Sequence, residues 1–145
     1  KLMINYIIGY YIFNLQQYLI HKIQHINKIY KTHREQHHKT YDRNNITKII
    51  KKNSLYENID LYLYGNIICI LINLLIFDIK IIIFQIFIGF LSYYFHNEYH
   101  NSNSIWKKYK FFEYLKSKHQ LHHIFPNKNH FLLDPTFDIL FNTYK

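Results

Sequence analysis

Apolar residues gather in three long stretches separated by polar, basic segments. The first, Leu2 to Ile20, is mostly apolar but carries Asn5, Asn14, Gln16 and Gln17. The longest runs from Ile59 to Phe95 and is broken once, at Asp78 and Lys80. A bilayer core takes about 20 helical residues, so this run is too long for one span. It reads as two helices, roughly 59–77 and 79–96, joined by a tight turn that holds the Asp and Lys. Ile67 to Phe77 and Ile81 to Phe90 are apolar around most of a helical circumference, which favours lipid over the buried hairpin of a soluble domain. Polar groups are expensive in lipid, so the Asn and Gln side chains of the first stretch are expected to face protein or a metal cavity. That stretch continues without a break signal into His21 and His25, placing both at or just beyond the membrane end of a helix.

Charge sets the orientation. Between the apolar stretches lie Lys22, Lys28, Lys31, Arg34, Lys39, Arg43, Lys48, Lys51 and Lys52, and after them Lys107, Lys108, Lys110, Lys116, Lys118 and Lys128. The positive-inside rule puts both regions in the cytosol. A net charge of +9 and a pI of about 9.5 raise nucleic-acid binding as a rival. No nucleic-acid motif supports it, and Lys and Arg beside spans are expected for topology and anionic lipid. The heavy use of Ile, Asn, Lys, Tyr and Phe looks like an A/T-rich coding sequence, a mutational source for part of that charge. The mean hydropathy of -0.22 averages over this segregation. A lone Cys69 excludes an internal disulfide and a cysteine-built metal site. No signal-peptide pattern follows Lys1, and a first residue other than Met leads us to expect a fragment.

The chemistry lies in the histidines. Ten of the eleven fall into four groups: His21 and His25; His33, His37 and His38; His96 and His100; His119, His122 and His123. Residues three and four apart share a helix face, so each group aims its imidazoles at one point. A lone pair at this spacing is more often metal-free, but four groups together reverse that preference. Imidazole suits Fe, Zn, Cu or Ni, and ten ligands exceed one ion, so two ions with about five nitrogens each are expected. Glu35, Glu98 and Asp138 lie close enough in sequence to orient imidazole N–H groups, although each is more often a solvated charge. Tyr93, Tyr94, Tyr99 and Trp106 fit an interfacial aromatic belt by default, or a substrate path. The chain has no Gly-rich phosphate loop, no nucleophile with a partnered base and no haem or flavin motif.

The ordered groups resemble the fatty acid hydroxylase and sterol desaturase superfamily of integral-membrane, metal-dependent oxygenases. The similarity runs through Tyr18-Leu-Ile-His21-Lys-Ile-Gln-His25, Thr32-His33-Arg-Glu-Gln-His37-His38, Tyr93-Tyr-Phe-His96-Asn-Glu-Tyr-His100 and Lys118-His119-Gln-Leu-His122-His123. The family also places an apolar hairpin between its second and third groups. The tail, Asn129 through Phe137-Asp138 to Phe141-Asn142-Thr143-Tyr144, resembles the family's Asn-aromatic-Gly, aromatic-Asp and Leu-Phe-Gly-Thr-Tyr ending. Four departures stand out. Three residues separate His33 from His37 where the family usually has two, which shifts His33 or demands a bulge. Phe131 and Asn142 replace the tail glycines, His130 replaces an aromatic, and an upstream span is missing.

The resemblance implies a single membrane-embedded domain over 1–145, with spans near 2–20, 59–77 and 79–96. Its fold is an all-α, multi-pass transmembrane bundle with a cytosolic, histidine-rich helical cap around a dinuclear metal site. It carries over all ten grouped histidines as ligands, with Asp138, Asn129, His130, Glu35 and Glu98 as candidates for orienting them. Two iron ions are the implied cofactors, with zinc as a substitute in isolated protein. The implied activity is O2-dependent hydroxylation or desaturation of a membrane lipid, acyl chain or sterol, in the endoplasmic reticulum. Electrons would come from a cytochrome b5-type protein and its reductase. Two rivals stand beside it: a metal transporter or store, and an inactive member acting as an interaction subunit.

Overall fold

The computed structural model describes residues 2–25, 33, 37–51 and 61–145. In chain order they form helix α1 (Leu2–Gln24), strands β1 (Tyr41–Asp42) and β2 (Asn45–Ile49), helices α2 (Leu61–Asn73) and α3 (Ile79–Tyr99), a 3-10 turn (Ile105–Lys108), and helices α4 (Lys110–Ile124) and α5 (Thr136–Leu140).

α1, α2 and α3 pack against one another. Close approach is set by small residues: a Cβ added at Gly9 would lie 2.5 Å from Ile81 Cγ2, and one at Gly65 2.6 Å from Ile20 Cγ2. The turn from α2 into α3 ends on Asp78, whose carboxylate accepts from the N–H groups of Lys80 and Ile81 and caps α3.

The interior of this bundle sets polar side chains beside Phe13, Cys69, Ile81 and Ile82, and its exterior is apolar. Asn73, Gln85 and Ser92 are buried, as are Asn14 and Gln17 of α1. Gln16 and Asn73 exchange two amide hydrogen bonds, Asn73 donates to Gln85, and Gln85 donates to the Gly9 carbonyl. Gln17 donates to Asn66. Outside stand Ile4, Ile7, Ile68, Leu71, Ile83, Phe87 and Phe90, all largely exposed. The polar face of α1 therefore turns inward at Asn14, Gln16 and Gln17. Asn5 breaks the expectation: it is exposed.

Among the described residues, one helix, Ile79–Tyr99, is long and apolar enough to cross a membrane. α1 has the length, but the amides that feed the interior network lower its hydropathy below that level. The described part of α2 is 13 residues, and residues 59 and 60 of the expected second span lie outside the described residues.

The described residues are mostly helical, with one exception to the all-α expectation: an antiparallel hairpin pairing Tyr41 with Ile49 and Asp42 with Asn45. The polar run Asp42-Arg43-Asn44-Asn45 makes the turn, where Asp42 accepts from the Asn44 N–H, and Ile46 and Thr47 supply β-branched strand residues. Ile46 joins a core with Tyr99, Phe112, Leu115 and Phe131. That core fixes α4 beside the C-terminal end of α3. Gln120 of α4 accepts from the Ile46 N–H and donates to the Arg43 carbonyl, and Arg43 donates to the carbonyls of His123 and Ile124 at the C-terminal end of α4.

Candidate metal centre

α1, α3 and α4 each bring histidines to one place. The last turn of α1 presents His21, and His25 follows just past its end; α3 carries His96 in its last turn with His100 as its cap; α4 carries His119, His122 and His123. His33, His37 and His38 come from the segment before the hairpin. Two four-imidazole groups result, each with its nitrogens within 4.8 Å of one another: His21, His25, His33 and His122, and His37, His96, His100 and His119. The residue added between His33 and His37 thus coincides with a division of that pair between the groups. His38 and His123 lie between them, 4.4 Å apart by ring centroid. His38 stands 5.0 Å from each of His25, His33 and His122, while His123 Nε2 is 3.0 Å from His37 Nε2.

Backbone carbonyls set the tautomers. Nδ1 of His21 donates to the His130 carbonyl at 2.6 Å, Nδ1 of His100 to the Ile46 carbonyl at 2.8 Å, and Nδ1 of His122 to the Lys128 carbonyl at 2.7 Å. A carbonyl only accepts, so each Nδ1 carries the proton and each Nε2 keeps a lone pair aimed inward. This arrangement is the usual support of a metal-bound histidine. His122 shows it most plainly, since its buried Nε2 has no hydrogen-bond partner among the described residues. Burial, and then repulsion from neighbouring imidazoles, pushes the pKa values of His21, His37, His38, His119, His122 and His123 well down. Burial does the same to His100, aided by His96. These rings are neutral at pH 7, the form that binds a metal.

Spacing fits an ion as well. The Nε2 atoms of His37 and His96 are 3.1 Å apart, and those of His100 and His119 3.0 Å. Two nitrogens about 2.1 Å from one ion and at right angles to each other are about 3.0 Å apart. All-imidazole donors, neutral and soft enough for a first-row transition metal, complete the match.

A family model described as fatty acid hydroxylase matches residues 6–143. The chain belongs to the fatty acid hydroxylase family. Searches among curated proteins and among solved structures returned no match. Family members are generally membrane-associated oxygenases.

In this fatty acid hydroxylase family member the other candidate residues take varied places. Asp138 is fully buried, and its carboxylate accepts from the His130 and Phe131 N–H groups and from the Thr143 hydroxyl rather than from an imidazole among the described residues. It acts one step removed, by fixing the peptide whose carbonyl holds His21. Asn129 pins the tail, accepting from the Lys145 N–H and donating to the Lys118 carbonyl. It adopts φ 54°, and Asn142, at the place of a family glycine, adopts φ 55°; asparagine tolerates this left-handed region better than most residues. The His130 ring lies 5.5 Å from those of His25 and His122, outside both groups, and burial pushes its pKa down to about 4. Glu98 accepts from Asn101 on the surface, away from the imidazoles, and Glu35 lies outside the described residues.

Tyr99 is buried in the aromatic core and donates to the Leu132 carbonyl, and Tyr94 accepts from Trp106 Nε1. Tyr93 lines an apolar cavity of about 340 Å3 between α1, α2 and α3, with Phe13, Ile67, Ile86, Gly89 and Phe90. Sequence reading missed Tyr41, whose ring stacks on His100 at 3.8 Å, and the three anchoring carbonyls. Every residue has a carbonyl, so no sequence signal marks them. The turn-forming run before Ile46 was the one available clue to the hairpin.

Proposed function

We propose that this chain is an iron-dependent membrane oxidoreductase that hydroxylates or desaturates a lipid, acyl chain or sterol, with O2. The observation that carries the reading is the pair of adjoining buried imidazole groups with backbone-anchored Nδ1 atoms at one end of an apolar-surfaced bundle. His38 completes the first group and His123 the second, giving five nitrogens to each of two ions. Iron bound there supplies reduction of dioxygen and oxidising power toward an unactivated C–H bond, with two electrons from an external donor. The chain's own residues hold the ligands neutral, fix their direction and exclude water. Zinc can take the same places in isolated protein, because imidazole sites do not favour Fe(II) over Zn(II).

Topology supports a lipid substrate. A bundle with an amide network inside and an apolar exterior suits lipid, which favours three spans near 2–20, 59–77 and 79–96. The histidines share their end of the bundle with Lys22, Lys107, Lys108 and Lys110, the cytosolic end by the positive-inside rule. The apolar cavity ends on Tyr93, one helical turn before His96, and suits an apolar chain entering sideways from the bilayer. The membrane is the endoplasmic reticulum, and a cytochrome b5-type protein with its reductase supplies electrons from the cytosol. A transport role fits less well: such sites lie near the bilayer midplane, whereas α3 carries no histidine before His96.

The test compares lipids by mass spectrometry from cells expressing the chain, cells expressing His122→Ala, and cells with neither. A gain of one oxygen or a loss of two hydrogens, present only with the unaltered chain, is expected. Identical lipid profiles in all three overturn the reading.

A further inference from the structure

The C-terminal segment runs down α1 and back. From His130, beside His21, the chain descends until Asp134 accepts from the Tyr10 hydroxyl at 2.9 Å; it then returns through α5, with Phe137 against Tyr11 and Phe141 stacked on Tyr18. At about 1.5 Å per residue, Tyr10 lies about 16 Å along α1 from His21. That is half of a hydrocarbon core of about 30 Å.

We propose that residues 134–141 form a re-entrant element that dips into the bilayer beside α1 and presents Ile139, Leu140 and Phe141 to lipid. Five observations carry it. Those three side chains are 58%, 67% and 49% exposed. Between Pro135 and Phe141 the one charged residue is Asp138, which is fully buried and bonded.

The returning backbone satisfies itself, as lipid requires: Ile139 N–H donates to the Pro135 carbonyl, Phe141 N–H to that of Phe137, and Thr143 N–H to that of Asp138. At the tip, Asp134 accepts from the Thr136 N–H and hydroxyl besides Tyr10, which offsets the cost of a carboxylate at that depth. Lys22 marks the upper edge, its Nζ lying 5.5 Å from the Tyr18 ring and 5.9 Å from that of Phe141, where an ammonium reaches the headgroups while its stem covers apolar surface.

The proposal rests on the membrane reading above, and tryptophan fluorescence separates the two. Trp106 is the chain's one tryptophan, so Trp106→Phe gives a dark background. Into it are placed Leu140→Trp and, separately, Phe87→Trp, both at exposed positions. The full chain is reconstituted in nanodiscs of phosphatidylcholine brominated either near the headgroup end or near the middle of the acyl chain. Phe141 stacks on Tyr18, about 5 Å below His21, so the tryptophan at 140 is expected to lose roughly half its emission to the shallow bromines. Phe87 stands about 13 Å below His96, so a tryptophan there is quenched most by the deep bromines. Quenching at 87 without quenching at 140 overturns the re-entrant element and points to water or a second copy on that face. Absence of quenching at both positions overturns the membrane reading itself.

Discussion

Replacing His122 by alanine separates a ligand from its surroundings most sharply when His130→Ala is made beside it. The His122 ring is fully buried, its Nδ1 is spent on the Lys128 carbonyl, and its Nε2 faces the rings of His21 and His25 at centroid distances of 4.5 and 4.7 Å. Its loss removes one of five nitrogens from the first group and leaves the Lys128 carbonyl without its partner, costing about 1–3 kcal/mol of stability. We expect one ion per chain to be lost and nearly all lipid oxidation with it. His130→Ala removes a ring that sits outside both groups, while the peptide whose carbonyl orients His21 stays held through its Phe131 N–H by Asp138. Its effect should not exceed about 10- to 100-fold in activity, with both ions retained. Elemental analysis of both purified variants, with thermal melts to confirm folding, decides the matter. Equal metal loss in the two would show His130 to be a true ligand, and full activity in His122→Ala would refute the catalytic assignment.

Asp138→Asn replaces an acceptor of three hydrogen bonds with an amide that turns its own donors toward N–H groups; we expect a loss of about 2–3 kcal/mol, read as a lowered melting temperature, with the His21 side losing metal first. An unchanged melt would remove Asp138 from its positioning role. His37, His119, His122 and His130 titrate below the unfolded value of about 6.5, so the unfolded chain binds more protons, and their stabilisation, full above that pH, drains as pH falls below it. Metal-free protein should therefore melt at progressively lower temperature between about pH 7 and pH 5, and a flat profile contradicts the burial of neutral rings. Asn45-Ile46-Thr47 is a glycosylation acceptor with Asn45 exposed. On the cytosolic side it stays unmodified, and a tag after Lys145 is digested by protease in sealed, cytosol-side-out microsomes. A glycan at Asn45, or full protection of the tag, would reverse the topology.

Helical spacing carries much of what the sequence reveals. Residues 119, 122 and 123 share one side of α4 because pitch leaves no alternative, and the same holds for 96 and 100 at the end of α3. The inward turn of Asn14, Gln16 and Gln17 follows from the cost of stranding amides on an apolar surface, and the chain's family followed from the ordered histidine groups and tail. Long-range placement was not legible. Spacing says that His33 and His37 are close in sequence, not that they serve different groups. Asp138 reads as an acidic partner for an imidazole, yet its two oxygens go to main-chain donors, a choice made by a tail fold that no local periodicity encodes. The hairpin behind His100 was hidden in the same way, since Ile46 looks like any apolar residue until its carbonyl is found under an imidazole.

Two adjoining imidazole groups stand at the centre of this account, and metal content tests them most directly. Elemental analysis of unaltered protein after gentle, chelator-free purification should give about two ions per chain, iron in the active form or zinc in its place. Less than about half an ion per chain would contradict the metal centre and every functional conclusion built on it.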